Sequence, residues 1–154
     1  MSEQLVFINL PVSDLERAKR FYQALGCEIN LNFTDDNAAC VVWSESVFFM
    51  ILRTEFMQTF TKRPIADPSQ SVGVMTALSR ASRDAVDDTV NAGVGAGGTE
   101  PTESTQDLGF MYSRQLEDPD GNILEFVWMD PAAAAGGPDA ADSAGNERLA
   151  EFGG

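Results

Sequence analysis

The 154-residue chain contains no histidine, only two cysteines, and 10 lysines and arginines against 24 aspartates and glutamates. Without histidine the usual base of serine and cysteine triads is missing, and so is the commonest protein metal ligand. Cys27 and Cys40 each sit in apolar, strand-like sequence with no partner at metal-ligand spacing, and both read as reduced core residues. The shortage of cations leaves a formal net charge of -14 and a pI near 4.1, a field that repels nucleic acid and anionic membrane. Runs of about 18 apolar residues are also missing, so no membrane helix is expected. The opening MSEQLVFINLPVSD enters strand-like sequence with no signal peptide, and the expected location is cytoplasmic.

What is present suits one folded unit. A 44% hydrophobic content over this length can bury a single respectable core. After Pro131 stand four acids (Asp139, Asp142, Glu147, Glu151) and one base (Arg148), so the part before it holds 9 bases against 20 acids, or -11. The acidity therefore belongs to the body, where it serves solubility or salt adaptation, or alternatively draws a cationic ligand. Asn32-Phe33-Thr34 matches a glycosylation acceptor and is set aside for want of a secretory context.

Hydropathy periodicity gives an order of elements. Residues 5–10 (LVFINL) read as a strand ending at Pro11, with Val6, Ile8 and Leu10 on one face and Leu5, Phe7 and Asn9 on the other. Ser13-Asp14-Leu15-Glu16 is a capping box for a helix to about Leu25, whose Leu15, Ala18, Tyr22 and Leu25 share a face before Gly26 ends it. Strands are expected near 27–34, 38–44 and 47–53, followed by a short helix over 54–62 and a surface connection over 64–70. The pattern then repeats: a strand at 72–79, a helix from Ser82 to Gly93 burying Val86 and Val90, and strands near 98–103, 109–117 and 123–129. The halves share a pattern more than residues. Residues 132–154, rich in Ala, Gly and Asp, read as a flexible tail, with a turn of helix conceivable over Asn146 to Phe152.

Asp118-Pro119-Asp120-Gly121-Asn122 is the strongest local signal, a type I turn followed by a glycine bulge. With that loop length Glu117 pairs with Ile123 and Gln115 with Glu125. Leu124, Phe126 and Trp128 then face the helices with Arg114 and Tyr112, while Ser113 and Met111 share the face of Glu125. That carboxylate in an apolar row is either a solvated rim charge or the lining of a pocket. In a pocket, desolvation would raise its pKa and suit it to general-base work or to pairing with a cation.

FINLPVSDLERAKRFYQALG, SVGVMTALSRASRDAVDD and LEDPDGNILEFVWMDP, spread over residues 5–130, resemble the vicinal oxygen chelate superfamily of glyoxalase I, bleomycin-resistance proteins and extradiol dioxygenases. The resemblance implies an α+β fold: two βαβββ modules, about 5–53 and 72–130 around a linker at 54–71, curled into a cup-like mixed sheet within one domain at 1–131. It implies a homodimer as well, and metal ligands on the first and fourth strands of each module. Those positions fall on Phe7, about Met50, about Met75 and Glu125. Phenylalanine has no donor atom and thioether is soft, so no metal and no cofactor is expected, and classical metal-dependent glyoxalase I or dioxygenase activity is not expected either.

Gly93-Val94-Gly95-Ala96-Gly97-Gly98 satisfies G-x-G-x-x-G, but it follows a helix and leads into a strand, the reverse of a dinucleotide site. Phe21 and Tyr22 read as core. Three functions stay open. The first is binding of a small organic molecule, cationic if the acidity selects the ligand, by Phe7, Asn9, Met50, Met75, Ser113, Gln115 and Glu125. The second is a metal-free lyase or isomerase with Glu125 as catalytic base, and the third is a non-catalytic dimerising scaffold.

Overall fold

The computed structural model describes residues 3–143, with side chains described up to residue 140. Strands β1 (Val6–Val12), β2 (Glu28–Asn30), β3 (Ala38–Val42) and β4 (Val47–Arg53) form one sheet in the order β1-β4-β3-β2. A second sheet, β5-β8-β7-β6, consists of β5 (Met75–Ser79), β6 (Gln106–Asp107), β7 (Met111–Glu117) and β8 (Ile123–Met129). In each the first strand runs parallel to the fourth and the other pairings are antiparallel. Helices α1 (Leu15–Ala24) and α3 (Arg83–Gly95) follow the first strands, α2 (Thr54–Met57) runs into a 3-10 turn over Gln58–Phe60, and α4 (Pro131–Gly136) and α5 (Pro138–Ser143) come last. The architecture is α+β, two open four-stranded mixed sheets with helices, and no sheet closes into a barrel. No helix among the described residues is long and apolar enough to cross a membrane.

One core joins the halves. Helix α1 packs on β2, β3 and β4, α3 packs on β7 and β8, and the two helices touch. Leu15, Ala18, Phe21, Tyr22 and Leu25 meet Phe49 and Ile51 of the first sheet, and the same cluster takes in Val86, Val90, Leu116, Leu124 and Phe126. Trp43, just past β3, lies 5.6 Å from the Phe126 ring and carries the Arg80 guanidinium 5.5 Å above its own. The alternation expected for β8 holds, with Leu124 and Phe126 in the core. The hairpin register is the expected one: Glu117 faces Ile123, Gln115 faces Glu125, and Gly121 takes φ 102°.

Several boundaries differ from the sequence expectation, each for a local reason. Strand β1 continues through Pro11 to Val12, tolerable because β1 is an edge strand and the missing N–H leaves no ladder bond unmade. The cap of α1 is Asp14, which accepts from the Arg17 N–H, since Ser13 is engaged elsewhere. Strand β2 stops at Asn30, whose side chain accepts from Asn32 N–H while its carbonyl takes the Thr34 hydroxyl. A 3-10 turn follows, with Leu31 and Phe33 exposed. Strand β5 begins only at Met75, opposite the first residue of β8.

The expected strand at 98–103 is absent, apart from a single bridge between Thr99 and Glu117. Pro101 has no N–H to donate, Glu103 takes φ 60°, and the edge strand forms instead at Gln106–Asp107. Strand β7 starts at Met111, past Gly109 at φ 82°. Helix α3 runs two residues beyond Gly93, and the glycine run owes its presence to packing: a methyl group on Gly93 would lie 2.2 Å from a Leu116 methyl, and one on Gly98 2.8 Å from the Glu117 carbonyl. Residues 131–143 are not a flexible tail but two short helices, with Ala133 buried. The turn considered over Asn146 to Phe152 lies outside the described residues.

Candidate functional site

Each sheet has a core face and an opposite face, and the register assigns residues to them. On the first sheet the opposite face carries Phe7 and Asn9 of β1, Phe48, Met50 and Leu52 of β4, and Ala38 and Cys40 of β3. Helix α2 and its 3-10 turn lie over the β4 end of this face. Between them is a cavity of about 390 Å³ lined chiefly by Asn9, Met50, Leu52, Phe56, Met57 and Phe60. Phe56 and Phe60 meet edge to face at 5.1 Å, and Phe7 stacks on Phe48 at 5.0 Å outside the cavity.

A second cavity, of about 250 Å³, sits between β1 and the start of the second sheet, lined by Asn9, Pro11, Met57, Ile65, Val74 and Asn122 among others. Its outer wall is the connection read from sequence as surface loop. Gln58 ties that wall down: its amide nitrogen donates to the carbonyls of Thr61 and Arg63, and its oxygen accepts from Ile65 N–H. Further along, Asp67 accepts from the Ser69 N–H and hydroxyl, which holds its carboxyl below the usual carboxylate range.

On the second sheet the opposite face carries Met75 and Ala77 of β5, Ile123, Glu125 and Val127 of β8, and Ser113 and Gln115 of β7. Glu125 is half-buried between Gln115 and Ala77, and its carboxylate makes no hydrogen bond or ion pair among the described residues. Ser113 is buried, whereas Met75 is exposed beside Ile123. Of the seven sequence candidates, Asn9 and Met50 share a cavity, and Ser113, Gln115 and Glu125 share a sheet face that lines neither cavity. The four positions at which the superfamily places metal ligands do not fit a metal here. Phe7 offers no donor, the two methionines offer thioether, and no group of three or more His, Cys, Asp or Glu among the described residues is placed to hold an ion.

Two polar assemblies went unrecognised in the sequence. In the first, the DPDGN turn is clasped by the β1–α1 junction. Buried Asp118 accepts from the Tyr22 hydroxyl at 3.0 Å, from the Asn122 side chain at 2.9 Å, and from the backbone N–H of Asp120 and Asn122. The Asn122 amide also reaches the Pro11 carbonyl, and Asp120 takes the Ser13 N–H, the Ser13 hydroxyl and Arg17. Burial pushes the Asp118 carboxyl up against the lowering effect of these bonds, and burial beside Asp118 raises the Tyr22 phenol. Tyr22 carried the available signal, since a buried tyrosine needs a partner for its hydroxyl.

The second assembly centres on Arg114, which binds Glu100 at 2.6 Å and Asp87 at 2.8 Å while Tyr112 donates to the same Asp87 oxygen. The Arg114 bond holds Glu100 below the usual carboxylate range, and the Tyr112 bond with Arg114 does the same for Asp87. Both cysteines are free and buried; burial pushes the Cys27 thiol up to about 12 and raises Cys40 as well.

The family described as "Bleomycin resistance protein-like N-terminal" matches residues 4–44. No match was found among curated protein sequences. Among solved structures, a hypothetical protein from S. aureus is 27% identical with a TM-score of 0.69, over 83% of this chain and 95% of that one. A glyoxalase/bleomycin resistance protein from Albidiferax ferrireducens T118 is 23% identical (TM-score 0.62), over 79% and 95% of the two chains. A glyoxalase-related enzyme from Fulvimarina pelagi is 20% identical (TM-score 0.69), over 82% and 88%. The paired sheets, their strand order and these likenesses define a protein of the glyoxalase/bleomycin-resistance fold. In fold, and over residues 4–44 in sequence, the chain is similar to proteins of the vicinal oxygen chelate superfamily.

Proposed function

We propose that this protein binds a small organic molecule on the face of the first sheet covered by α2. The observation that carries the reading is the cavity of about 390 Å³ beneath Phe56, Met57 and Phe60, floored by Met50 and Leu52 with Asn9 at its edge. An apolar recess with one or two polar groups is the usual construction of a small-molecule pocket, and thioethers adapt their shape to what they hold. Native mass spectrometry of the purified chain, followed by calorimetric titration of any copurified compound, tests it. Met50→Trp, which fills the floor, should weaken binding at least tenfold, and binding that survives the substitution unchanged would overturn the assignment.

Glu125 supports a second reading, a metal-free lyase or isomerase. The supporting observation is a half-buried carboxylate with no partner among the described residues, free to accept a proton. Under this reading Glu125→Gln abolishes turnover of a substrate once one is found, whereas under the binding reading affinity is retained. We also read the protein as a homodimer: Leu5, Val6 and Phe7 at the start of edge strand β1, and Met75 at the start of edge strand β5, are exposed apolar residues. Sedimentation of the wild type against Phe7→Glu, which should shift mass toward the monomer, tests the assembly.

A further inference from the structure

The two cavities meet at Asn9 and Met57, which line both, so together they form one groove of two lobes with a waist. In a chain with a formal net charge of -14, no residue lining either lobe bears an ionisable side chain. The acids of the hairpin clasp, the Arg114 assembly and Glu125 all lie elsewhere. A charged group entering the groove would surrender hydration and meet no counter-charge, a loss that apolar walls cannot offset.

The wall between Thr61 and Ser71 is held by hydrogen bonds of the protein's own. Gln58 spends both ends of its amide on that segment, and Asp67 locks the turn beyond it. A groove whose wall is ordered before binding spares the ligand the cost of ordering it. At the waist Asn9 is exposed and its amide provides a donor and an acceptor. The Asn122 amide, nearby, is engaged with Pro11 and Asp118.

We infer that the ligand is an uncharged, elongated, apolar molecule that occupies both lobes and presents one hydrogen-bonding group to Asn9, with Gln58 as the positioning residue of the outer wall. The inference rests on the small-molecule reading above and adds the chemical class to it. The overall acidity of the protein takes no part in choosing the ligand.

Fluorescence titration of the full chain with three dyes tests it: Nile red (neutral), thioflavin T (cationic) and 1-anilinonaphthalene-8-sulfonate (anionic), each at low and high salt. Nile red should saturate near one per chain with little salt dependence, and the two ions should bind at least tenfold more weakly. Met57→Lys should weaken Nile red at least tenfold and Met57→Gln several-fold, the latter standing in if the lysine variant fails to fold. Gln58→Ala should weaken it several-fold with the thermal midpoint little changed. Leu31→Ser, on a remote exposed apolar patch, should leave it unaltered. Tighter binding of thioflavin T than of Nile red, or indifference to both Met57 substitutions, would overturn the uncharged class and leave small-molecule binding standing. Failure of all three dyes would overturn both.

Discussion

The two halves repeat one topology and use it in opposite ways. In the first half the face away from the core is apolar and partly roofed, with Met50 and Leu52 under Phe56 and Phe60; in the second the corresponding face presents Ala77, Gln115 and Glu125, none of which lines either cavity. The core side reverses the contrast. Helix α1 contributes Phe21 and Tyr22, both fully buried, whereas α3 contributes two valines, Thr89 and Gly93 and is bolted to its sheet by Arg114, Asp87 and Glu100. A duplicated sheet thus needs only one covering segment, α2 with its linker, to turn one copy into a pocket.

The comparison breaks first if the halves are separable. Phe49→Ala in the first half and Phe126→Ala in the second each remove a fully buried ring from the shared cluster, and each should cost about 3–5 kcal/mol. Calorimetry should show one transition that moves down in both variants. Two transitions, only one of them displaced, would show that the halves fold separately.

A smaller effect, of about 1–3 kcal/mol, separates the two polar assemblies by the sign of their pH dependence. Asp118 has a folded-state pKa above its unfolded value, so its contribution is greatest in acid and declines as pH rises from the unfolded toward the folded value. Asp87 and Glu100 are depressed, so their contribution is complete above the unfolded values and is lost as pH falls through the folded ones. Both acids keep some solvent contact, 40% and 28% of their side-chain surfaces, which places that assembly at the low end of the range. Stability measured by urea against pH should therefore lose its downward trend in Asp118→Asn and its acid-side fall in Arg114→Met. Identical pH profiles in the two variants would refute the contrast.

The smallest effect concerns the rim of the clasp. Ser13→Ala removes one of the hydrogen bonds accepted by Asp120 at an exposed site and should cost about 0.5–1 kcal/mol. A loss as large as that of Asp118→Asn would mean that the rim rather than its buried centre carries the clasp.

The fold was legible in the sequence where periodicity and turn chemistry agreed. The DPDGN turn fixed the β7–β8 register to the residue, and the buried face of α1 followed from Leu15, Ala18 and Tyr22. Features decided by distant partners were not legible. Ser13 resembles a helix cap, but its partner Asp120 is 107 positions away, and the run at 98–103 resembles a strand until Pro101 is set against its neighbour. The groove was half legible: alternation assigned Asn9 to a non-core face, and Met50 followed from the fourth-strand position that the family resemblance implies. Met57, Phe60 and the Gln58 staple could not be, because a polar residue in a short helix gives no sign in one dimension that it anchors a loop several residues on.

The clasp also has a consequence for synthesis. Translation delivers Tyr22 and Phe49 early, while Asp118 and the hairpin that completes their surroundings come near the end of the folded body. A nascent chain carrying only the first half can pack Tyr22 on Phe49 but leaves the side of that cluster that meets Val86, Val90, Leu116 and Phe126 uncovered, the condition in which chaperones are recruited and aggregation competes. Ribosome pausing before residue 118 would lengthen that exposure.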